Sequence, residues 1–155
     1  MIKFTNTDEF ERKLRSFAKK AEIDVGVVAK RMAFSAFKSI VIKTPVDTGR
    51  ARSSWNISEG SIDQSVSPEV DKTESRGRGS GKFQQATAIS AKKLRQLRHV
   101  NSRFPVFYIT NSLPYIIPLE EGHSSQADKG YMVKRTLVEL NEVLDGMLEG
   151  IDNEL

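Results

Sequence analysis

Histidine and carboxylate side chains could support proton transfer or metal binding, and His99 and His123 are the only histidines in the chain. His123 lies near Glu120, Glu121 and Asp128 in the sequence, so a metal site can be imagined there. The sequence has neither the His-Glu-x-x-His spacing of zinc enzymes nor the Gly-x-Ser-x-Gly turn of serine hydrolases. We therefore interpret both histidines as solvated loop residues. We expect no catalytic, cofactor-binding or metal-binding residue.

The tripeptide Asp47-Thr48-Gly49 also occurs in retroviral-type aspartic proteases, where two aspartates share a proton and activate water. That chemistry needs the tripeptide between buried apolar strands. Here Pro45 precedes it closely, Arg50 follows, and the upstream pattern is helical. We therefore predict a structural turn, in which Asp47 accepts a local backbone hydrogen bond and Gly49 adopts a positive φ. The turn residues are Pro45, Asp47, Gly49, Arg50 and Trp55, with Trp55 as a core anchor.

A basic, glycine-rich stretch could contact phosphate groups. From Asp71 to Arg103 there are nine lysines and arginines against two acidic residues, a net charge of +7. The segment Ser75–Lys82 has too few apolar side chains to offset the entropy lost when it is fixed. We therefore predict that residues 67–103 form a basic, mobile insert. Its candidate contacts to phosphate or to a partner are Arg76, Arg78, Lys82, Lys92 and Lys93.

Two interpretations of this insert stay open. Its charges could bind a nucleic-acid backbone, or a neighbouring protein subunit could order it. It is not a P-loop, because the upstream glycine spacing and the preceding apolar strand are missing. The chain is also polarised, since no basic residue follows Arg135 while six acidic residues do. Such a distribution is typical of two solvated faces, and it also suits complementary contacts between subunits or with nucleic acid.

Helices are predicted at both ends of the chain. Asn6 and Asp24 can each cap a helix, so the segment before Pro45 is one long bent helix or two helices. Pro45 ends it near Lys43. A helix is also predicted over Gln84–His99, and an amphipathic helix over Tyr131–Met147.

Short strands are predicted between these helices. Trp55–Ile57 and Ser61–Val66 would form a hairpin around Glu59-Gly60, and Phe104–Thr110 is a later strand. Tyr115–Gly122 predicts an apolar turn or short helix. Core packing is its default role, and the alternative is a subunit interface. The residues of this candidate interface are Tyr115, Ile116, Leu119, Glu120, Glu121 and Gly122.

These elements predict one α+β domain over residues 1–155. It would be a small antiparallel sheet packed with the N-terminal long helix or two helices and the C-terminal helix, with the basic insert between. The absence of cysteine excludes disulfides and thiolate metal sites and indicates assembly in a reducing cytoplasm. No signal segment is present and no apolar stretch approaches the ~20 residues of a membrane span, so we expect no membrane contact.

Two segments together resemble a known family. The first is Thr44–Arg50 followed by Ser53-Ser54-Trp55, and the second comprises Ile109–Asn111, Pro114-Tyr115 and Leu119–Ser124. They resemble the small neck and tail-completion proteins of long-tailed bacteriophages, a family that includes proteins similar to minor tail protein Z. One departure is Glu121, because an aromatic residue often stands there in the family.

The resemblance implies a structural virion protein at the head–tail neck, which completes or joins the tail and is assembled in the host cytoplasm. The implied partners are copies of itself in a ring such as a hexamer, other neck and tail proteins and, transiently, packaged DNA. A ring subunit presents two different patches, for which the basic insert and the acidic C-terminal helix are candidates. The alternatives are a tail terminator or head-completion stopper and, in another class, a nucleic-acid-binding protein. We expect no enzymatic activity and no cofactor.

Overall fold

The computed structural model describes residues 7–20, 24–45, 49–67, 88, 91–97, 105–125 and 129–154, with side chains to residue 149. The chain forms a small α+β fold, as predicted. Residues 91–96 are helical. The other elements, in chain order, are α1 (Thr7–Lys20), α2 (Val25–Lys43), α3 (Arg50–Ser53), β1 (Asn56–Glu59), β2 (Phe107–Thr110), α4 (Ile116–Glu120) and α5 (Val133–Glu154).

The N-terminal segment forms two helices, α1 and α2, rather than one. The Asp24 carboxylate caps α2 by accepting hydrogen bonds from the amides of Gly26 at 2.7 Å and Val27 at 3.3 Å. A cap of this kind stabilises a helix by about 1 kcal/mol. Thr44 ends the helix in an extended conformation immediately before Pro45, as the sequence predicts. The predicted cap Asn6 lies outside the described residues.

Helices α1, α2 and α5 pack into a three-helix layer. Their buried side chains form the bundle core, which comprises Leu14, Ala18, Val28, Met32, Ala36, Leu140 and Leu144. Two cross-links between helices flank it. Lys13 of α1 pairs with Asp145 of α5 at 2.8 Å, and Lys43 of α2 pairs with Glu139 of α5. α5 thus joins both N-terminal helices.

A second cluster, the sheet core, covers the other end of α2. It brings together α2, α3, β1, the helical segment 91–96, α4 and the start of α5. Its buried members are Phe37, Ile40, Val41, Ala51, Trp55, Ile57, Leu94, Leu97, Leu113, Ile116, Met132 and Val133. Segments that are far apart in the sequence therefore share one apolar interior.

The sheet has two antiparallel strands, and β1 pairs with β2 so that Ile57 lies opposite Ile109. Ile57 is buried, and Phe107 and Ile109 pack against the cores. Beyond β1, Gly60 adopts φ +76° and its amide donates to the Val106 carbonyl at 3.0 Å.

The predicted strand over Ser61–Val66 is wrong. Residues 61–67 contain no strand, and the Asp63 carboxylate instead accepts a hydrogen bond from the Ser65 amide at 2.9 Å. Such local side-chain bonds compete with strand pairing. Asn56 donates from its side chain to the Ser65 carbonyl at 2.7 Å, so the segment lies beside β1 without joining the ladder.

The remaining predicted elements differ mainly at their ends. The last strand begins at Phe107 rather than Phe104, whose position is outside the described residues. α5 begins at Val133 and continues to Glu154, beyond the predicted end at Met147. The short helix α4 is present where an apolar turn or short helix was expected.

Candidate functional site

The predicted turn places Gly49 at the start of α3. Gly49 has φ +81°, a left-handed conformation that costs other residues roughly 1–2 kcal/mol. The amide of Ser53 donates to its carbonyl at 3.0 Å, which begins the helix. Arg50, the first residue of α3, directs its side chain toward the Ser67 carbonyl at 3.4 Å. Pro45 is partly buried, and Asp47 lies outside the described residues.

Trp55 anchors the turn to the end of α2. Its side chain is 3% exposed, and its indole Nε1 donates to Thr44 Oγ1 at 2.8 Å. Thr44 Oγ1 in turn donates to the Ile40 carbonyl at 2.7 Å. The tryptophan is therefore a core anchor, as predicted.

Arg52 is a buried residue that the sequence did not single out. Its guanidinium donates to the carbonyls of Ile42 at 3.0 Å and Thr44 at 2.8 Å, at the C-terminal end of α2. A cation is favourable there because the last carbonyls of a helix carry partial negative charge. Burial lowers the pKa of Arg52 from its ordinary value. The arginine thus ties α3 to α2.

Lys93 does not match its predicted role as a contact to phosphate or to a partner. Its ammonium is half-buried and donates to the Ser53 carbonyl at 3.1 Å and also to the Trp55 carbonyl and Asn56 Oδ1. Burial lowers the pKa of Lys93, and Asp63 partly opposes that effect. Its cation therefore docks the helical segment 91–96 onto the α3–β1 junction.

The structure describes the position of only one other candidate contact of the insert, Lys92. Lys92 is exposed beside Lys93. Arg76, Arg78 and Lys82 lie outside the described residues. Of the five predicted contacts, Lys92 is the one that the described structure places on the surface.

Asn111 joins the two segments that carry the family resemblance. Its side-chain amide donates to the Ala51 carbonyl of α3 at 2.8 Å, and its Oδ1 accepts from the Leu113 amide at 3.2 Å. One side chain thus fixes both the turn after β2 and its position against α3. The sequence indicated this asparagine only through the resemblance.

Glu120 has a structural role within the predicted interface. Its carboxylate accepts hydrogen bonds from the backbone amides of Met132 at 3.1 Å, Val133 at 3.1 Å and Lys134 at 2.9 Å. These amides open α5, so Glu120 caps that helix from another element. Gly122, at φ +87°, turns the chain back, and the Gly130 amide donates to the Glu120 carbonyl.

The predicted interface is therefore only partly on the surface. Ile116 is buried, and Leu119 is partly buried against the sheet core. Tyr115 is 38% exposed and Glu121 is exposed. Ile117, which the prediction omitted, is as exposed as Tyr115. An outward patch at this position consists of Tyr115, Ile117 and Glu121.

The side-chain contacts of Trp55, Arg52, Lys93, Asn111 and Glu120 hold elements of the fold together. His123 is exposed, and His99 lies outside the described residues. Within the described part of the chain, no group of three histidine, aspartate or glutamate side chains is placed to hold a metal ion. Among the helices described, none has the length and apolar content that crossing a membrane requires. No family model matches the chain, and neither curated proteins nor solved structures gave a significant match.

Proposed function

We propose that this chain is a structural subunit of a tailed-bacteriophage particle, located at the head–tail neck, where it completes or joins the tail. The proposal starts from the two sequence segments that resemble the neck and tail-completion family. The observation that supports it further is that Asn111 of the second segment donates to the carbonyl of Ala51, which lies in α3 between the two parts of the first segment, and the strands beside them pair. The two segments therefore belong to one scaffold.

The polar residues of these segments support a structural role. Trp55 holds the turn on α2, Asn111 holds the second segment on α3, and Glu120 caps α5. Each of these side chains makes a contact inside the subunit. Recognition by other virion proteins then falls to the outer surfaces of the helices and to the patch of Tyr115, Ile117 and Glu121.

The proposed partners are copies of the same chain in a ring, neighbouring neck and tail proteins and, transiently, packaged DNA. A head-to-tail ring needs two different surfaces on each subunit. The polarised charge of the chain supports such an arrangement, because the acidic α5 differs from the basic middle of the sequence. The proposed location is the virion, after assembly in the host cytoplasm.

The test is an image of particles made without the protein. In a phage that encodes this chain, a stop codon early in its gene should yield DNA-filled heads and separate tails in negative-stain micrographs. Complementation from a plasmid should restore joined particles. Complete, infectious particles formed in the absence of the protein would refute the proposal. Heads that lose their DNA would favour the head-completion stopper instead.

A further inference from the structure

The outward side of α2 is a basic stripe. The helix residues Val27, Arg31, Ser35, Lys38 and Ile42 are all exposed. Their spacing of four, four, three and four places them on one side of the helix, opposite the buried residues. α2 contains no acidic residue. Its two apolar ends, Val27 and Ile42, are 44% and 43% exposed. We call these five residues the α2 face.

The outward side of α5 has the opposite character. Val143 and Met147 are 49% and 43% exposed, and they flank the exposed Gly146. Glu142 and Glu149 are exposed beside them. Glu139 and Asp145 have partners within the subunit, namely Lys43 and Lys13. We call Glu142, Val143, Gly146, Met147 and Glu149 the α5 face.

Gly146 is not explained by packing within the subunit. A glycine in a helix interior costs about 1 kcal/mol relative to alanine. A Cβ atom at Gly146 would meet nothing within 4 Å, so no described neighbour requires its small size. A glycine between two exposed apolar side chains does, however, let a second helix approach closely. At Gly146, therefore, nothing on α5 itself would hinder a second helix.

We propose that the α2 face of one copy docks on the α5 face of a second copy. The inference rests on the proposed function and specifies which surfaces form the subunit contact. Arg31 and Lys38 are seven residues apart, as are Glu142 and Glu149, so each pair spans about 10 Å of helix. Both ion pairs can therefore form in the same helix–helix contact, with apolar side chains beside them.

A second copy fits both faces better than the other candidate occupants. The segment 71–103 carries a net charge of +7, so it would be attracted to the α5 face but repelled by the α2 face. DNA would be attracted to the α2 face and repelled by the α5 face. A copy of this chain supplies the complement of each face. Because the two faces differ, the contact is head-to-tail and continues from subunit to subunit.

Charge reversal tests this pairing. Variant A carries Arg31→Glu and Lys38→Glu, and variant B carries Glu142→Lys and Glu149→Lys. In each variant alone, charges of the same sign face each other across the contact. Each should therefore self-associate at least about tenfold more weakly than the wild type in sedimentation velocity at low salt. An equal mixture of A and B should recover association, because every A–B contact again joins opposite charges. High salt should weaken the wild-type assembly.

Gly146→Leu gives an independent steric test. Because Gly146 is exposed and a Cβ atom there meets nothing within 4 Å, we expect the subunit to fold with the larger side chain, which would block the approach of a second helix. It should raise the thermal unfolding midpoint and still weaken self-association. Arg12→Glu with Lys19→Glu is the matched charge control, since both residues are exposed on α1. That control should assemble as the wild type does, and circular dichroism should show all variants folded.

The results of these experiments distinguish a failure of the α2–α5 contact from a failure of the proposed function. Self-association that survives in A and B overturns the α2–α5 contact but leaves a ring of copies intact. Association lost in A and B but not recovered in their mixture also overturns it. Loss of DNA binding in A with normal assembly would assign the α2 face to DNA. If the wild-type protein stays monomeric at high concentration, both this inference and the proposed ring fail.

Discussion

The Glu120 carboxylate should be worth more to stability than a surface glutamate, because it caps α5 from outside that helix. Its oxygens accept from three consecutive backbone amides at 2.9–3.1 Å. Removing a helix cap costs about 1 kcal/mol, and a hydrogen bond to a charged group is worth about 1.5–3 kcal/mol. The side chain is partly exposed, so we expect Glu120→Ala to lower the free energy of unfolding by about 2 kcal/mol.

For a chain of this length, that loss corresponds to a fall in the thermal midpoint of about 4–8 °C. The assay is thermal and urea unfolding followed by circular dichroism at 222 nm, a standard helix wavelength. Glu120→Gln keeps one oxygen acceptor and should lose roughly half as much. The control is Glu121→Ala, which changes an exposed neighbour and should alter stability by less than about 0.5 kcal/mol. Equal stability of the two alanine variants would refute the capping argument.

Three further predictions concern other contacts within the subunit. Trp55→Phe loses the indole hydrogen bond at the end of α2, so it should lower the free energy of unfolding by about 1–3 kcal/mol. Urea titrations measure this loss, and an unchanged midpoint would contradict it. Because Lys93 docks the helical segment 91–96, Lys93→Met should increase amide hydrogen exchange in residues 91–96, whereas Lys92→Met should not. Equal exchange in the two variants would contradict the docking role of Lys93. Lys43 lowers the pKa of Glu139, so that pair stabilises the fold above the ordinary glutamate pKa of 4.5. Its contribution is lost as pH falls through the lower folded-state pKa, and the stability gap between wild type and Glu139→Gln should close there. A pH-independent gap would disprove the linkage.

Local sequence signals predicted the helices before Pro45 and at the end of the chain, but not the short helix α3. Asp24 is followed by an apolar periodicity, and Pro45 cannot continue a helix, so both ends of α2 could be inferred from neighbouring residues. Gly49 likewise takes the positive φ expected of a turn glycine. These features depend on interactions within a few residues, which a sequence displays directly.

The pairing of the strands and the contacts of the buried polar side chains could not be inferred from neighbouring residues. The segment 61–67 follows β1 and alternates weakly, but the partner of β1 is β2, much later in the chain. The position of Lys93 in a basic stretch predicts a contact to phosphate or to a partner. Its acceptors lie 37 to 40 positions away, and only the folded chain brings them to its ammonium.

For the candidate interface, too, the sequence could not show which residues are buried and which are exposed. The apolar group around Tyr115 predicted both core packing and subunit contact, and the structure divides it, with Ile116 inside and Tyr115 outside. The role of Glu120 depends on the position of α5, which begins 13 residues later at Val133. The sequence shows the charges of the α2 face, but the proposal that this face pairs with the α5 face needs the exposure of residues on both helices.

The proposed location at the head–tail neck can be tested by cryo-electron microscopy of purified virions of a phage that encodes this protein, with protein quantification by mass spectrometry. We expect a fixed, small number of copies per particle and density at the head–tail junction that accommodates the α1–α2–α5 layer. Purified infectious virions that contain none of the protein would contradict it.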